Sequence, residues 1–334
     1  VGNLGYVGVA ILGGYLAMNG SITVGDIQSF ITYVRSFNQP ISMIAQNMNI
    51  LQSTAAAAER VFAFLEEEEE VPECENPVEI YDADGHTDIQ GQVTFENVHF
   101  GYRPDKIIIH DFSMYIKPGR KIAIVGPTGA GKTTIIKLLM RFYELNSGTI
   151  YIDGIPTTQM RRSDLRSLFG MVLQDAWLFG GTVMENLRYG RPDATDEEVI
   201  KAADAAYVDH FIRTLDHGYQ TVINEESSNI SQGQKQLLTI ARAFLADPKI
   251  LILDEATSSV DTRTEVLIQK GMQNLMENRT SFVIAHRLST IRDADLILVM
   301  KDGDIIEAGS HDELMKADGF YTQLYNSQFD EEEE

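Results

Sequence analysis

The chain has 334 residues, a formal net charge of −22 and a single cysteine, Cys74. One cysteine excludes an intrachain disulfide, and the acidic balance argues against nonspecific nucleic-acid binding, which needs clustered Lys and Arg. The length allows one domain of about 240 residues and a further fragment.

The first predicted element is an apolar helix near the start of the chain. Residues 1–25 carry no charged side chain, and residues 4–18 are mostly apolar with interspersed glycines. The segment is shorter than a membrane span of about 20 residues, and we interpret it as part of a membrane helix that begins upstream. A buried helix of a soluble protein is the alternative. A signal peptide is disfavoured, because a basic start and a cleavage motif are lacking.

A second, longer helix is predicted over residues 27–65. Its first half is apolar and aromatic, whereas its second half is rich in Gln and Asn. That polar surface suits a bundle interior or a substrate path better than contact with lipid. The alternative is that the polar half has already left the membrane and runs through water.

Acidic runs flank the remainder of the chain. Residues 66–90 are predicted to form an acidic linker and residues 330–334 an acidic tail, since such runs are usually solvated. Arg161, Arg162 and Arg166 are interpreted as scattered surface charges.

Residues 126–133 read Gly-Pro-Thr-Gly-Ala-Gly-Lys-Thr, a complete phosphate-binding loop between a predicted strand at 121–125 and a predicted helix at 134–143. This motif is meaningful only between a strand and a helix. Glycines let backbone N–H groups turn toward an anion, Lys132 reaches the outer phosphates, and Thr133 offers a hydroxyl to Mg²⁺. The sequence therefore predicts binding of a nucleoside triphosphate. The candidate residues are Gly126, Pro127, Thr128, Gly129, Ala130, Gly131, Lys132, Thr133 and Thr134.

A second apolar strand, residues 249–254, ends in Asp254 and is followed directly by Glu255. The carboxyl end of such a strand is where ligands bind in open α/β sheets. Asp254 is a candidate Mg²⁺ ligand, and Glu255 is a candidate base that polarises a water for in-line attack on the γ-phosphate. An Asp-Glu pair alone is as often a helix cap, so this interpretation depends on the phosphate-binding loop.

Residues 229–236, Asn-Ile-Ser-Gln-Gly-Gln-Lys-Gln, open a predicted helix that continues to Ala246. They resemble the signature of ATP-binding-cassette (ABC) proteins, usually Leu-Ser-Gly-Gly-Gln. Other segments resemble the family in the same order, from about residue 91 to residue 328. The resemblance implies that this chain's own ATP contacts Tyr102 (adenine stacking), Lys132, Thr133, Gln174, Asp254, the catalytic Glu255 and the γ-phosphate switch His286. It also implies that Mg²⁺ is held by Thr133, Gln174 and Asp254, and that the other subunit and its ATP meet Ser231, Gly233, Gln234 and Asp261.

The resemblance implies an α/β fold, a P-loop NTPase cassette at residues 91–329. Strands near 121, 169, 250, 281 and 296 would form a parallel core, residues 93–102 and 106–116 an antiparallel subsheet, and residues 196–215 part of an α-helical signature subdomain. Two membrane helices of an all-α exporter domain would precede it at residues 1–65.

The function that the resemblance implies is that of an ABC exporter half-transporter. Two cassettes sandwich two MgATP, and closure and hydrolysis drive export of a small molecule, lipid or peptide. The protein would be a multi-pass plasma-membrane protein in contact with membrane lipid, with its cassette in the cytoplasm and no nucleic-acid partner. The alternative is a non-transport cassette ATPase of a soluble machine.

One departure from the family is Gln232, which replaces the first signature glycine. A side chain there would crowd the close backbone approach that glycine permits. An intact Asp254–Glu255 pair with an altered signature resembles the subunit of heterodimeric bacterial exporters that carries the competent Walker B glutamate. A tolerated substitution in a homodimer is the alternative.

Overall fold

The computed structural model describes residues 2–82, 85–103, 105–173, 176–224, 229–254, 260–285 and 288–329. Its internal contacts divide the chain into two compact units, Val1–Val71 and Pro72–Glu334.

The first unit is a pair of antiparallel helices, α1 (Gly2–Met18) and α2 (Val24–Leu65). Thr23 caps α2, because its Oγ1 accepts a hydrogen bond from the backbone N–H of Asp26 at 3.3 Å and the Asp26 carboxylate accepts one from the Thr23 backbone at 2.9 Å. Gly13 approaches Ile27 of α2, so that a Cβ at Gly13 would lie 3.0 Å from the Ile27 side chain. The two predicted helices are therefore present, and they begin and end close to the predicted positions.

Among the described residues, no helix combines the length and the apolar character that a membrane crossing requires. The assignment of α1 and α2 as membrane helices remains a prediction.

The second unit is built on two main sheets. A four-stranded antiparallel sheet has the order β2-β1-β4-β5, and a six-stranded sheet has the order β12-β11-β3-β10-β9-β6, in which only the β11–β12 pair is antiparallel. The predicted parallel core and antiparallel subsheet are confirmed. The strands are β1 Val93–Phe100, β2 Ile109–Ile116, β3 Lys121–Val125, β4 Ser147–Ile152, β5 Ile155–Pro156, β6 Phe169–Val172, β7 Gly181–Thr182, β8 Val222–Ile223, β9 Ile250–Asp254, β10 Thr280–Ile284, β11 Leu296–Lys301 and β12 Asp304–Gly309.

Helices cover the six-stranded sheet, and several of them pack on one another within the same hydrophobic core as the sheet. The predicted helical stretch at 196–215 is divided into two helices, because Tyr207 adopts a positive φ of 59° that ends the first of them. The helices are α3 Lys132–Leu139, α4 Arg162–Ser167, α5 Val183–Arg188, α6 Asp196–Ala205, α7 Asp209–Arg213, α8 Gln232–Ala246, α9 Thr262–Met276, α10 Leu288–Arg292, α11 His311–Ala317 and α12 Phe320–Phe329.

The central strands are apolar on both faces because both faces are covered. Side chains alternate between the faces of a strand: Val125 and Leu253 belong to a core shared with α8 and α9, whereas Ile124 and Ile252 belong to a core shared with α3 and the four-stranded sheet. This double burial explains why the core strands are continuous apolar runs in the sequence.

The predicted linker includes two different environments. Residues 66–70 are exposed, whereas Ile80 and Ile89 are buried and the backbone N–H of Val78 donates to the carbonyl oxygen of Gln159 at 2.8 Å. Its part from Pro72 onward thus belongs to the second unit. The domain boundaries themselves remain a prediction.

Arg162 is not the surface charge that the sequence suggested. Its side chain is buried, and its Nη2 donates to Oε1 of Glu144 at 2.7 Å, an oxygen that also accepts from Nε of Arg141 at 2.9 Å. The shared carboxylate compensates for the desolvation of the two guanidinium groups. The surface interpretation is therefore wrong for Arg162.

Candidate functional site

The phosphate-binding loop connects the carboxyl end of β3 to the start of α3. Gly126, Gly129 and Gly131 have φ angles of 148°, 85° and 101°, in the region that favours glycine. A Cβ at Gly126 would overlap the backbone carbonyl oxygen of Met300 in the adjacent β11. The first glycine is therefore required by the close approach of a neighbouring strand as well as by its own backbone angle.

Lys132 is the first residue of α3, and its amine folds across the loop. Its Nζ donates to the carbonyl oxygens of Gly126 at 2.6 Å and of Pro127 at 3.0 Å. Burial lowers the pKa of the Lys132 ammonium below 10.5, and the negative charge of Asp254 acts in the opposite direction. Because these two acceptors are neutral carbonyls, a phosphate oxygen would be a stronger partner for this cation.

The loop opens onto a cavity that also contains Asp254. Thr128, Gly129, Lys132 and Thr133 line this cavity together with the Asp254 side chain. The Thr133 hydroxyl and the Asp254 carboxylate are hard oxygen donors of the kind that Mg²⁺ prefers beside substrate phosphates. The residues present therefore fit a nucleotide and its metal ion. Ala130 is buried; its backbone N–H donates to the carbonyl oxygen of Pro127 and its carbonyl oxygen accepts from the backbone N–H of Gly303, each at 3.2 Å.

The strand register explains why distant parts of the sequence meet here. Ile284 of β10 pairs with Ile124 of β3 on one side and with Asp254 of β9 on the other, and Val172 of β6 pairs with Leu253. The carboxyl ends of these parallel strands therefore share one edge, where ligands of α/β sheets bind. Three predicted site residues follow these strand ends in the sequence and lie outside the described residues: Gln174, Glu255 and His286.

Tyr102 presents an aromatic surface beside the loop. Its side chain is 44% exposed, and its ring meets Phe100 and Tyr143 edge-to-face, each with centroids 5.0 Å apart. Its hydroxyl lies 3.3 Å from Oγ1 of Thr134, and Nζ of Lys137 lies 5.7 Å from the ring centroid. Edge-to-face neighbours fix the plane of the ring. Sequence reasoning missed Tyr143, although it is the aromatic residue at the end of the predicted helix 134–143; the observed helix α3 ends earlier, at Leu139.

The signature residues form the N-terminus of α8. Oγ of Ser231 accepts from the backbone N–H of Gln234 at 3.3 Å, and Oε1 of Gln234 accepts from the backbone N–H of Ser231 at 3.0 Å. A Cβ at Gly233 would lie 2.6 Å from Cγ2 of Thr264 and 2.7 Å from Cγ1 of Val260. Each predicted signature residue thus has a structural role within this chain.

Gln232 and Asp261 lie near the starts of adjacent helices. Gln232 is exposed at the first position of α8. Asp261 caps α9 by accepting from the backbone N–H of Thr264 at 3.0 Å, and this bond is the main cause that holds the pKa of its carboxyl below 3.8. The two helix N-termini therefore lie together, at a distance in sequence from the phosphate-binding loop.

These features define a P-loop nucleotide-binding domain: a glycine loop at the end of a central parallel strand, the lysine of that loop and a nearby carboxylate. Residues 109–258 match the family described as ABC transporter. The chain therefore contains an ATP-binding cassette of the ABC transporter family.

Relatives extend the similarity to nearly the whole chain. It is 56% identical to the "Fatty acid ABC transporter ATP-binding/permease protein" of Mycobacterium bovis over 97% of this chain and 50% of that protein. It is 42% identical to the "ATP-dependent lipid A-core flippase" of Desulfotalea psychrophila over 98% of this chain and 56% of that protein. The chain thus spans about half the length of the curated relatives it matches.

A solved structure has the same fold. The structure of a bacterial Atm1-family ABC exporter with ATP bound is 38% identical, with a TM-score of 0.72, and the alignment covers 98% of this chain and 56% of that one.

Proposed function

We propose that this chain binds MgATP and hydrolyses it as the ATPase part of an ABC exporter. The observation that carries the proposal is the placement of Lys132, Thr133 and Asp254 in one cavity at the carboxyl ends of β3 and β9. A nucleoside triphosphate needs a cation for its outer phosphates and oxygen donors for its metal ion, and the cavity provides both.

The proposed site residues have two kinds of role, nucleotide binding and catalysis. Lys132 and the loop backbone bind the phosphates, and Tyr102 offers its exposed face to the adenine base. The metal ion would be held by Thr133, Asp254 and Gln174, and it would neutralise charge that develops on the phosphates. Glu255 is the proposed base that orients the attacking water, and His286 the proposed contact to the γ-phosphate. These two roles are supported by their sequence positions after β9 and β10.

The proposal that the chain takes part in export is based on the names of its relatives. A fatty acid transporter and a lipid A-core flippase are among them, so we favour a cargo with acyl chains over a peptide or a drug. By the same analogy α1 and α2 belong to a membrane domain, the protein lies in the plasma membrane, and the cassette faces the cytoplasm.

A second cassette is the proposed partner. The N-termini of α8 and α9 expose Gln232 and Asp261 rather than burying them within this chain, and a helix N-terminus favours a bound anion. We propose that this surface meets the ATP of the partner and that Gln232 makes that site the weaker one of a heterodimer. In that arrangement Glu255 serves the competent site.

Hydrolysis is tested in membranes that contain the protein together with a second exporter subunit, with Glu255→Gln and with Glu277→Gln as a matched control outside the site. We expect Glu255→Gln to lower turnover at least about 100-fold while ATP binding persists, because a positioned base contributes on that scale. Glu277 lies at the end of α9, and its substitution is expected to leave turnover unchanged. Equal turnover in Glu255→Gln and the wild type would refute the role of Glu255.

The heterodimer is tested separately by replacing Gln232 with glycine, the residue that the family signature usually has at this position. If Gln232 weakens the second site, Gln232→Gly raises the number of ATP molecules retained per cassette pair. An unchanged stoichiometry would show that Gln232 is harmless and would support a homodimer.

A further inference from the structure

A second cavity lies beside the phosphate-binding loop. It measures about 150 Å³, and Thr128 and Lys132 line both this cavity and the one that contains Asp254. Part of its wall is formed by three residues of α12: Tyr321, Leu324 and Tyr325. The helix α12 therefore lies next to the loop that is proposed to bind the phosphates, although the two are far apart in sequence.

The start of α12 is held by a carboxylate of β12. Oε1 of Glu307 accepts from the backbone N–H of Phe320 at 2.5 Å, and Oε2 accepts from that of Tyr321 at 3.0 Å. The first N–H groups of a helix have no partner within the helix, so this carboxylate satisfies two of them and complements the helix dipole. A Cβ at Gly319 would overlap Oε1 of Glu307, so the glycine just before α12 leaves room for this carboxylate.

The hydroxyl of Tyr321 is held as well. Tyr321 is 2% exposed, and its hydroxyl lies 2.8 Å from Nδ1 of His311 in α11. Burial and the positive charge of Arg292 lower the pKa of His311 below 6.5, while Asp312 acts in the opposite direction. The imidazole is therefore neutral at pH 7, and its Nδ1 can accept a hydrogen bond from the hydroxyl. Both the backbone and the side-chain end of Tyr321 thus have fixed partners.

The strands that carry Glu307 and the loop are connected through β11. This strand pairs in parallel with β3, which leads into the loop, and antiparallel with β12, which carries Glu307. The turn between β11 and β12 also contacts the loop, since the backbone N–H of Gly303 donates to the carbonyl oxygen of Ala130 at 3.2 Å. Val125 at the end of β3 belongs to the same hydrophobic core as Tyr321. The loop, the β11–β12 hairpin and α12 are therefore packed together.

The conformation of the loop matters because its backbone N–H groups are the proposed phosphate ligands. Glycine has more backbone freedom than other residues and loses more of it on becoming ordered. A glycine loop that is already ordered in the free protein loses less conformational entropy when ATP binds, so it binds ATP more tightly. Nζ of Lys132 donates to the carbonyl oxygens of Gly126 and Pro127, two residues that also line the second cavity. A side chain that packs beside this cavity is therefore placed to set the conformation of the loop.

We propose that Tyr321 is a positioning residue of the nucleotide site: held at both ends by Glu307 and His311, it fixes the phosphate-binding loop and thereby sets the affinity for ATP. The inference rests on the proposed binding of ATP at this loop. A tyrosine that only filled the core would contribute to stability and leave the affinity for ATP unchanged, so the two roles are separable by experiment.

The test uses the full chain with two substitutions of Tyr321. Tyr321→Phe keeps the ring and loses the bond to His311, whereas Tyr321→Leu also removes the ring. Ile212→Ala is the matched control, because Ile212 is buried in the same core but belongs to α7 and is not among the described residues that line either cavity.

Three properties are measured on the protein alone: the thermal unfolding temperature, the affinity for ATP, and amide hydrogen exchange over residues 126–134 without nucleotide. The KM for ATP and kcat are measured in membranes that also contain a second exporter subunit.

We expect Tyr321→Leu to weaken ATP binding about tenfold, within the usual range of coupling free energies, and to speed exchange of the loop. The KM rises by the same factor while kcat at saturating ATP is retained, because the variant loses binding that is common to the ground state and the transition state. Tyr321→Phe shows smaller changes in the same direction. Ile212→Ala lowers the unfolding temperature but leaves ATP affinity, KM and loop exchange as in the wild type.

Wild-type ATP affinity and loop exchange in Tyr321→Leu would overturn the proposal, as would equal losses of ATP affinity in Tyr321→Leu and Ile212→Ala, which would indicate an effect of stability alone. If Tyr321→Leu does not fold, Tyr321→Phe decides: unchanged ATP affinity and loop exchange in that variant would refute the role of Tyr321. If the wild type itself does not bind ATP, the proposed function fails, and loop exchange in the nucleotide-free protein alone decides whether Tyr321 fixes the loop.

Discussion

Ser231 and Gln234 close the N-terminus of α8 on each other, the serine hydroxyl accepting from the backbone of the glutamine and the glutamine amide oxygen accepting from the backbone of the serine. This reciprocal pair satisfies two backbone N–H groups that an open helix end would leave without partners. The signature therefore has a structural role in this chain as well as the proposed role toward the partner's ATP.

Substitutions of Ser231 separate those two roles. Ser231→Ala removes the cap and is expected to lower the free energy of unfolding by about 1 kcal/mol. Ser231→Asp keeps an acceptor at the cap and so keeps stability, but it places a negative charge on the surface proposed to meet a triphosphate. Because the two cassettes are proposed to close over both nucleotides together, ATP turnover at the competent site falls as well. Urea unfolding and ATP hydrolysis on the same preparations measure both effects.

The control for Ser231 is Ser310→Ala. Ser310 forms the same kind of capping box with Glu313 at the start of α11, so its loss should reduce stability without reducing turnover. Full turnover in Ser231→Asp would contradict the proposed contact with the partner's nucleotide.

The pKa of Lys132 gives a pH dependence with a defined sign. The folded chain binds the Lys132 proton less tightly than the unfolded chain does, since burial lowers this pKa below 10.5. Between the two pKa values the unfolded chain binds more protons, so the free energy of unfolding rises with pH in that window. The Lys132→Met variant lacks this pH-dependent contribution to the free energy of unfolding. The free energy of unfolding of the wild type minus that of the variant should therefore increase from neutral pH toward 10.5, and a difference that falls with pH would contradict the assignment.

Tyr102 is expected to contribute to ATP affinity through its ring rather than its hydroxyl. Aromatic stacking on a base is worth about 1–3 kcal/mol, so Tyr102→Ala should weaken ATP binding roughly tenfold or more, whereas Tyr102→Phe should nearly preserve it. Calorimetric titration with ATP measures both. Tyr115→Ala is the control, because Tyr115 is an exposed tyrosine of β2 that contacts Gln92. Equal losses of ATP affinity in Tyr102→Phe and Tyr102→Ala would refute stacking of the ring on the base.

Gly233 is a helical glycine whose replacement by alanine is expected to have the opposite effect on stability from the usual one. Gly→Ala in a helix normally stabilises by about 1 kcal/mol, but here the new Cβ would lie 2.6 Å from Thr264 and 2.7 Å from Val260. Gly233→Ala should therefore destabilise the chain. Thermal unfolding should show recovery when Gly233→Ala is combined with Val260→Ala and Thr264→Ser, which remove the two obstructing methyl groups. Stabilisation by Gly233→Ala alone would contradict this packing.

The sequence predicted those parts of the fold that local patterns determine. The strand, glycine loop and helix around Lys132 follow from adjacent residues, and the apolar run ending at Asp254 identifies a central strand from its composition alone. The two strands and the loop were found where they were expected, whereas the helix begins at Lys132 and ends at Leu139, four residues before the predicted end. The register of β3, β10 and β9 explains why the loop and Asp254 share one cavity.

The features that the sequence did not predict depend on distant partners. Arg162 is buried because Glu144 lies beside it, and Arg242 donates hydrogen bonds to carbonyl oxygens of α5 and of the segment after β6. An arginine within the apolar helical run 237–246 was a visible signal, but its partners at 177 and 186 are far away in sequence. The break after α6 likewise depends on the backbone angle of Tyr207, which the residue type does not determine.

ATP turnover in membranes that contain the protein, alone or together with a second exporter subunit, shows most directly whether this cassette hydrolyses ATP at its own site. We expect turnover to appear with the second subunit and to vanish when Glu255→Gln is introduced into this chain. Rapid turnover by the protein alone would establish a homodimer and refute the weaker-site role of Gln232. Turnover that persists undiminished in Glu255→Gln would contradict the central claim that this cassette hydrolyses ATP at its own site.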